Sequence, residues 1–322
     1  MPDATTAPPT RLHVVTGKGG TGKTTVAAAL ALALAAGGKR TLLAEVEGRQ
    51  GIAQLFDVAP LPYAERKIAV APRGGEVRAL AVDPEEALLE YLDLFYKLGR
   101  AGRGLKRIGA IDFATTIAPG MRDVLLTGKL KEAATRTTEG RRVYDAVVLD
   151  APPTGRIGRF LNVNAEMAGL ARMGPIKSQS DGVMAVLRSP MTAVHVVTML
   201  EEMPVQETAD AVAELSTTGL PVGRVIVNAV RSDALAGDRV TQAVVRRGLA
   251  SVGVSTDRGT VRGLVDEARD HTRRLAVERR LRDELVTIGQ PVTELPFLPD
   301  GVDLGGLYAL ADGLTAAGFR AP

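Results

Sequence analysis

Eight residues near the amino terminus, Gly17-Lys18-Gly19-Gly20-Thr21-Gly22-Lys23-Thr24, have the types and the order of a phosphate cradle. They fill the pattern G-x-x-x-x-G-K-S/T, after an apolar run from Leu12 to Val15 and before an Ala/Leu-rich stretch from Val26 to Ala36. That strand–loop–helix setting is what gives the pattern meaning. Glycines 17, 19, 20 and 22 let the backbone turn its N–H groups inward on phosphate oxygens. The start of the following helix adds partial positive charge. Lys23 is placed to reach the β- and γ-phosphates, the Thr24 hydroxyl to ligate Mg²⁺, and Thr25 completes the run. An ordinary glycine-rich turn is the competing reading, and the flanks argue against it. The expectation is a nucleoside triphosphate bound with Mg²⁺.

A nucleotide hydrolase also needs a carboxylate near the metal and a group that orients the attacking water. The apolar run Tyr144–Asp150 ends in Asp150-Ala151-Pro152-Pro153-Thr154-Gly155, an acid at a strand end with a Pro/Gly loop behind it. Asp150 is therefore the candidate metal-shell carboxylate, with capping of the next helix as the structural alternative. Thr41–Val46 leads into Glu45-Val46-Glu47-Gly48-Arg49-Gln50. Strand alternation puts Glu45 and Glu47 on one side, so that one could hold a metal-bound water and the other orient the nucleophile. Two surface glutamates at a strand end are the plainer reading. His13, His195 and His271 are far apart in sequence and read as core or surface residues.

These residues need a frame. Strands are expected at Leu12–Thr16, Thr41–Val46, Val77–Val82, Tyr144–Asp150, Ala193–Thr198, Arg224–Asn228 and Val292–Leu295. Their continuous apolar character is that of strands covered on both faces. Helical connections then imply right-handed crossovers and an α/β fold, a doubly wound, mostly parallel sheet. A disordered lead, residues 1–10, is expected before a single domain over 11–322. Helical inserts are expected at about 84–135 and 155–190, over the carboxyl end of the sheet. The first has Leu88, Leu89, Leu92, Phe95 and Tyr96 on one face. Thr260–Val286 reads as one or two exposed helices with i,i+4 pairs such as Glu278 and Arg282.

Composition sets bounds. The 322 residues are 45% hydrophobic and 24% charged, which reads as soluble and globular. A net charge of +3 without a basic cluster gives no argument for nucleic acid. There is no cysteine, which removes disulfides, thiolate clusters and a Cys-based structural zinc. The longest apolar run is shorter than the about 20 residues that a membrane span takes, and the lead lacks a signal-peptide pattern. A cytoplasmic location is expected.

The run Gly-Lys-Gly-Gly-Thr-Gly-Lys-Thr-Thr resembles the deviant Walker A ATPases. The resemblance implies that Lys18 crosses a dimer interface and contacts the nucleotide of the other subunit, much as an arginine finger does. The cradle, the segment Glu45 to Phe56, the Asp-Ala-Pro-Pro-Thr-Gly loop and the Ile226-Val227-Asn228 strand end together resemble the ArsA family. That family comprises arsenite-pump ATPases and ATPases that guide tail-anchored membrane proteins. It implies ATP with Mg²⁺. It also puts Glu47 at the water-positioning place, Asp150 in the magnesium shell, Asn228 on adenine, and Pro296, Leu298 and Pro299 in a loop closing over the base. The family's Asp-Pro-Ala-His switch is here Glu47-Gly48-Arg49-Gln50, so the chain departs from it at the water-positioning residue. Without cysteine an arsenite-type pump is disfavoured.

Two function classes follow. One is a dimeric ATPase, homodimer or paralogous heterodimer, whose nucleotide state opens an apolar surface for a hydrophobic client or membrane-associated protein. The methionines at 167, 173, 184, 191, 199 and 203 and the face with Leu88, Leu92, Phe95 and Met121 suit such a surface. Ordinary core is the alternative. The other class is a partitioning or positioning ATPase. Against it, the tail from Leu304 to Ala321 has Leu307, Leu310 and Leu314 on one face and a single basic residue, Arg320, as a packed terminal helix has.

Overall fold

Alternation along each central strand decides the architecture. Leu12 and Val14 in the first strand, and Leu42 and Ala44 in the second, face one apolar cluster; Val15 and Leu43 face another. Strands buried on both sides need helices on both sides. A computed structural model, describing residues 9–96, 120–170, 175–233, 235 and 240–322, has this layered arrangement. An eight-stranded sheet runs in the order β10-β9-β8-β1-β7-β2-β4-β3. Its strands are β1 (Leu12–Gly17), β2 (Arg40–Glu45), β3 (Arg66–Ala71), β4 (Gly75–Ala81), β7 (Ala146–Asp150), β8 (Thr192–Thr198), β9 (Val222–Val230) and β10 (Val292–Pro296). All pairings are parallel except β3 with β4. The α/β, mostly parallel sheet expected from the apolar runs is therefore what the chain forms.

All seven expected strands are present, with ends shifted by a residue or two; Val46, Val82 and Tyr144 fall just outside them. Three strands were not expected. β3 is an edge strand whose Arg66 and Lys67 are exposed, so it lacks the continuous apolar run of a covered strand. The small hairpin of β5 (Thr137–Thr138) and β6 (Arg141–Arg142) is exposed on both strands.

On one face lie α1 (Lys23–Ala35), the short α2 (Gly51–Leu55) and α10 (Leu304–Ala316). Every residue of α1 from Val26 to Ala35 is buried, and Leu307, Leu310 and Leu314 of α10 share its cluster. The terminal helix is thus packed, as its leucine spacing indicates. The other face carries α4 (Met121–Thr135), α5 (Thr154–Leu170), α6 (Pro175–Leu187), α7 (Glu202–Thr217) and part of α9 (Arg258–Thr287), through residues such as Leu126, Phe160, Val183, Leu215 and Leu281. α3 (Pro84–Tyr96) leads toward α4, and α8 (Gln242–Ser251) precedes α9.

Within the segment 84–135, where a helical insert is expected, α3 and α4 are described, and within 155–190 α5 and α6; residues 97–119 and 171–174 of these segments lie outside the described residues. The side chains of Leu92, Phe95, Tyr96 and Met167, together with Met173, lie outside the described residues, as does the lead through residue 8. Among the described members of the apolar set, Leu88 and Met184 are buried and Met203 is exposed. The charged segment forms one 30-residue helix, α9, with Val261, Val265, Leu275, Leu281 and Leu285 inward. The expected Glu278–Arg282 pair is not its main contact: Glu278 is buried and pairs with Arg231 at 3.2 Å, and Arg282 pairs with Glu294. Tertiary neighbours outcompete the intrahelical partner there. No helix among the described residues is long and apolar enough to cross a membrane.

His13 and His195, distant in sequence, meet in the core. Their rings stack with Nδ1 of His13 3.1 Å from Nε2 of His195, and Phe319 stands edge-on to His195. The Arg224 N–H donates to His195 Nδ1, so the His195 proton sits on Nε2 and is donated to His13. Burial pushes His13 down to about 4 and His195 well below the usual range, so both are neutral.

Candidate active site

The end of β1 is flanked by β7 and β8, with β2 beyond β7, so the carboxyl ends of four strands converge where the chain changes direction across the sheet. The glycine-rich segment turns there. Gly17 closes β1 against β8: a Cβ at this position would lie 2.2 Å from the Val197 carbonyl. Gly22 takes φ +84 at the start of α1, and a Cβ on it would lie 2.3 Å from Asn228 Nδ2. Neither place admits a side chain. The Lys18 carbonyl accepts from Thr21 Oγ1 at 2.8 Å and from Lys23 Nζ at 3.4 Å, which folds the loop on itself. Burial lowers Lys23 from the usual lysine range, while the charges of Asp150 and Glu47 work the other way, so both carboxylates lie within electrostatic reach of it.

Asp150 ends β7 opposite Val15 of β1 and Glu45 of β2. Its Oδ2 accepts from Thr24 Oγ1 at 2.7 Å, and its Oδ1 is buried without a protein partner. Burial raises this carboxyl to about 6, opposed by Thr24 and Lys23 and reinforced by the charges of Glu45 and Glu47. An orphaned carboxylate oxygen beside a threonine hydroxyl, with two more carboxylates near, is a donor set for a hard divalent cation. The residues present fit Mg²⁺. The loop after Asp150 is tied to the sheet by Thr16 Oγ1, which donates to the Pro152 carbonyl at 2.7 Å.

The two glutamates of the second strand part company. β2 ends at Glu45, so alternation does not carry through to Glu47. Glu45 is buried, and its carboxylate accepts from the N–H groups of Gln50 at 2.9 Å and Ile52 at 3.3 Å, holding the start of α2. Glu47 turns instead to Arg156, 3.3 Å away, and Arg49, 3.6 Å away. The expectation that both share one strand side is corrected by the strand's earlier end.

Lys18 points along its own chain. Its Nζ is 2.6 Å from Glu207 Oε1 on α7, and Glu207 Oε2 accepts from Thr154 Oγ1 at 3.1 Å. The hydrogen bond from Lys18 holds the Glu207 carboxyl below its ordinary value. Asn228, near the end of β9, donates to the Thr21 carbonyl at 3.0 Å, which leaves its second N–H and its Oδ1 for a ligand edge. The Pro296–Pro299 turn follows β10 alongside, with the Phe297 N–H donating to Val230 and the Arg231 guanidinium over the Phe297 ring. Glycines 19 and 20, Lys23, Thr24 and Asp150 thus gather at one end of the sheet, with Asn228 on its β9 side. Glu207, Arg156 and Arg231 were not singled out in the sequence. Each is an ordinary charged residue on a helix or loop, and only its partners set it apart.

The anion-transporting ATPase family matches residues 10–191, more than half the chain. The chain belongs to that family. ATPase BagA of Mycobacterium tuberculosis is 54% identical over 319 residues, covering 96% of this chain and 94% of the relative. An arsenical pump-driving ATPase of Acidiphilium multivorum is 25% identical over 320 residues, 91% of this chain but 52% of the relative, so the chain spans about half that protein. ATPase GET3 of Kluyveromyces lactis is 26% identical over 249 residues, 66% of this chain and 70% of that protein. The resemblance read from the switch motifs holds, and it makes this chain an ATPase of the ArsA type.

Proposed function

We propose that the chain is a Mg²⁺-dependent ATPase that works as a dimer, its nucleotide state governing a partner protein through the helices on the α4–α7 face. The observation that carries this reading is the Thr24–Asp150 pair, with an unpartnered carboxylate oxygen beside a phosphate cradle that contains Lys23. Thr24 and Asp150 would hold the metal, with Glu45 behind them in the sheet. Bound there, Mg²⁺ supplies charge neutralisation on the phosphate oxygens. Lys23 and the inward N–H groups of Gly19, Gly20, Gly22 and Thr25 bind the phosphates. Glu47 orients a water for in-line attack on the terminal phosphorus. Asn228 reads the adenine edge, and the Pro296, Leu298 and Pro299 turn covers the base.

Lys18 is assigned to the nucleotide of a second subunit. It reaches that nucleotide only by exchanging Glu207 for phosphate, which makes the lysine a group recruited on dimer closure. The partner is either a second copy or a paralogue of similar fold. What the cycle acts on is a protein with an apolar or membrane-associated segment. Arsenite is a poor cargo for a chain without cysteine.

The direct test is Lys23→Ala, compared with the wild-type chain for binding of a fluorescent ATP analogue with Mg²⁺ and for phosphate release. Loss of binding or of turnover is expected. A variant that keeps both places the nucleotide elsewhere.

A further inference from the structure

Arg156 and Glu47 come from different parts of the chain and meet at the edge of the site. Arg156 is the second residue after the Asp150–Thr154 loop, on the first turn of α5, and Glu47 lies in the bend after β2. Their contact, Nη1 to Oε1 at 3.3 Å, joins the two segments that carry the acidic groups of the site. On Glu47's other oxygen, Arg49 Nε stands at 3.6 Å. Arg122, at the start of α4, donates to the Val46 carbonyl at 3.4 Å, fixing the backbone one residue before Glu47. Glu47, Arg49, Arg122, Asp123, Pro152 and Arg156 line a polar cavity of about 220 Å³. The Glu47 side chain is one-fifth exposed, so it is held at the mouth of this cavity and is not a free surface charge.

We propose that Arg156 is a positioning residue, whose guanidinium sets where the Glu47 carboxylate stands when it orients the attacking water. The proposal rests on the assignment of Glu47 made above. A glutamate has one more rotatable bond than an aspartate, so an untethered carboxylate at this position samples a wider arc. A partner fixed to the other acidic segment narrows it. Arg156 suits the task because a guanidinium keeps its N–H donors in a fixed plane, and one of them meets Glu47 Oε1. It is well placed to do so because the same loop holds Asp150 against Thr24, so one segment sets both the metal-side carboxylate and the water-side carboxylate. The arginine is more than half exposed, and exposed ion pairs contribute little to stability. Its consequence therefore falls on geometry, where a displacement of about 1 Å costs on the order of 10²-fold in rate.

The experiment uses the full chain as Arg156→Ala, Arg156→Lys, Glu47→Ala and the Arg156→Ala/Glu47→Ala double variant. Turnover with Mg²⁺ and ATP is measured beside the affinity of a fluorescent ADP analogue. Arg156→Ala is expected to lower kcat by about tenfold or more, toward the limit of about 10²-fold for a misplaced group, with nucleotide affinity kept within about twofold. Arg156→Lys recovers part of the loss. The double variant is no slower than Glu47→Ala alone, because the arginine has nothing left to position. Backbone amide exchange of residues 47–50 in the ADP-bound chain is followed in parallel, so the comparison does not depend on turnover; it rises in Arg156→Ala and falls back in Arg156→Lys. Unchanged turnover together with unchanged exchange in Arg156→Ala, or losses that multiply in the double variant, overturns the proposal. So does a loss of nucleotide affinity in Arg156→Ala, which would make the arginine a ligand contact. Failure of the ATPase reading itself would show differently, as an Lys23→Ala variant that still binds nucleotide.

Discussion

At the scale of single residues, the most informative atom is the buried Oδ1 of Asp150, which has no protein donor while its sister oxygen takes a hydroxyl from Thr24. Such an atom is costly unless something satisfies it. The raised carboxyl, at about 6, gives the consequence a sign. In the nucleotide-free chain the folded state binds the proton more tightly than the unfolded state does, so the Asp150 contribution to stability falls as pH rises from about 4 to about 6. A divalent cation needs the ionised form, so its binding must release that proton. Mg²⁺-dependent nucleotide affinity is therefore expected to decline as pH falls through about 6, with about half a proton released per Mg²⁺ at that pH and a larger share below it. Calorimetry in buffers of different ionisation heat measures the release. Asp150→Asn is expected to abolish it and to weaken Mg²⁺ dependence, and an unchanged pH profile in that variant would remove Asp150 from the metal shell.

The elements show how a parallel sheet advertises itself and where that signal ends. Covered strands such as β1 and β8 read directly as apolar runs, because both of their faces meet helices. β3 is covered less, carries Arg66 and Lys67 outward, and hides among polar segments. α1 is legible for the opposite reason: ten successive buried residues from Val26 to Ala35 leave no polar face, so it lies between the sheet and α10. That sandwich makes the terminal helix part of the frame of the phosphate cradle. Leu310, 1% exposed, sits in the shared cluster. Leu310→Ala is expected to lower the unfolding free energy by about 2–5 kcal/mol, as large-to-small changes in a packed core do. Denaturant unfolding measures it. A loss below about 1 kcal/mol would mean that α10 is an appendage and not part of the core.

For the whole molecule, the question is where Lys18 acts. In the single chain it is tied to Glu207, and Glu207 to Thr154, so the lysine, α7 and the loop after Asp150 form one linkage. A cradle lysine that serves its own nucleotide would have no need of a second subunit. One that serves a neighbour's leaves a testable asymmetry. Lys18→Ala and Glu47→Ala chains are each expected to bind nucleotide but to turn over far more slowly than wild type, with residual activity still measurable. Mixed in equal amounts they should regain about a quarter of wild-type turnover, since half of the dimers then hold one intact composite site out of two. Absence of recovery in mixed dimers verified by mass would place Lys18 in cis. If the pure chain stays monomeric with ATP and Mg²⁺, as seen by light scattering, the missing half is a paralogue, and the same mixing test then applies to the pair.

The amino-acid sequence by itself determined the phosphate-cradle motif, the parallel α/β sheet, the packed terminal helix and the family. These are local: a glycine pattern, an apolar run and a leucine spacing each carry their physics within a few residues. It also pointed to Asp150, as an acid at a strand end, and, through the family resemblance, to Asn228. Only the tertiary structure decided what those side chains face. Glu278 left its helical neighbour Arg282 for Arg231, His13 met His195 across 182 residues, Glu45 turned to cap α2, and Glu47 went to Arg156. Charged and polar side chains choose partners by distance in space, and in this chain such a partner can lie 189 residues away, as Glu207 does from Lys18. No periodicity in the sequence records that choice.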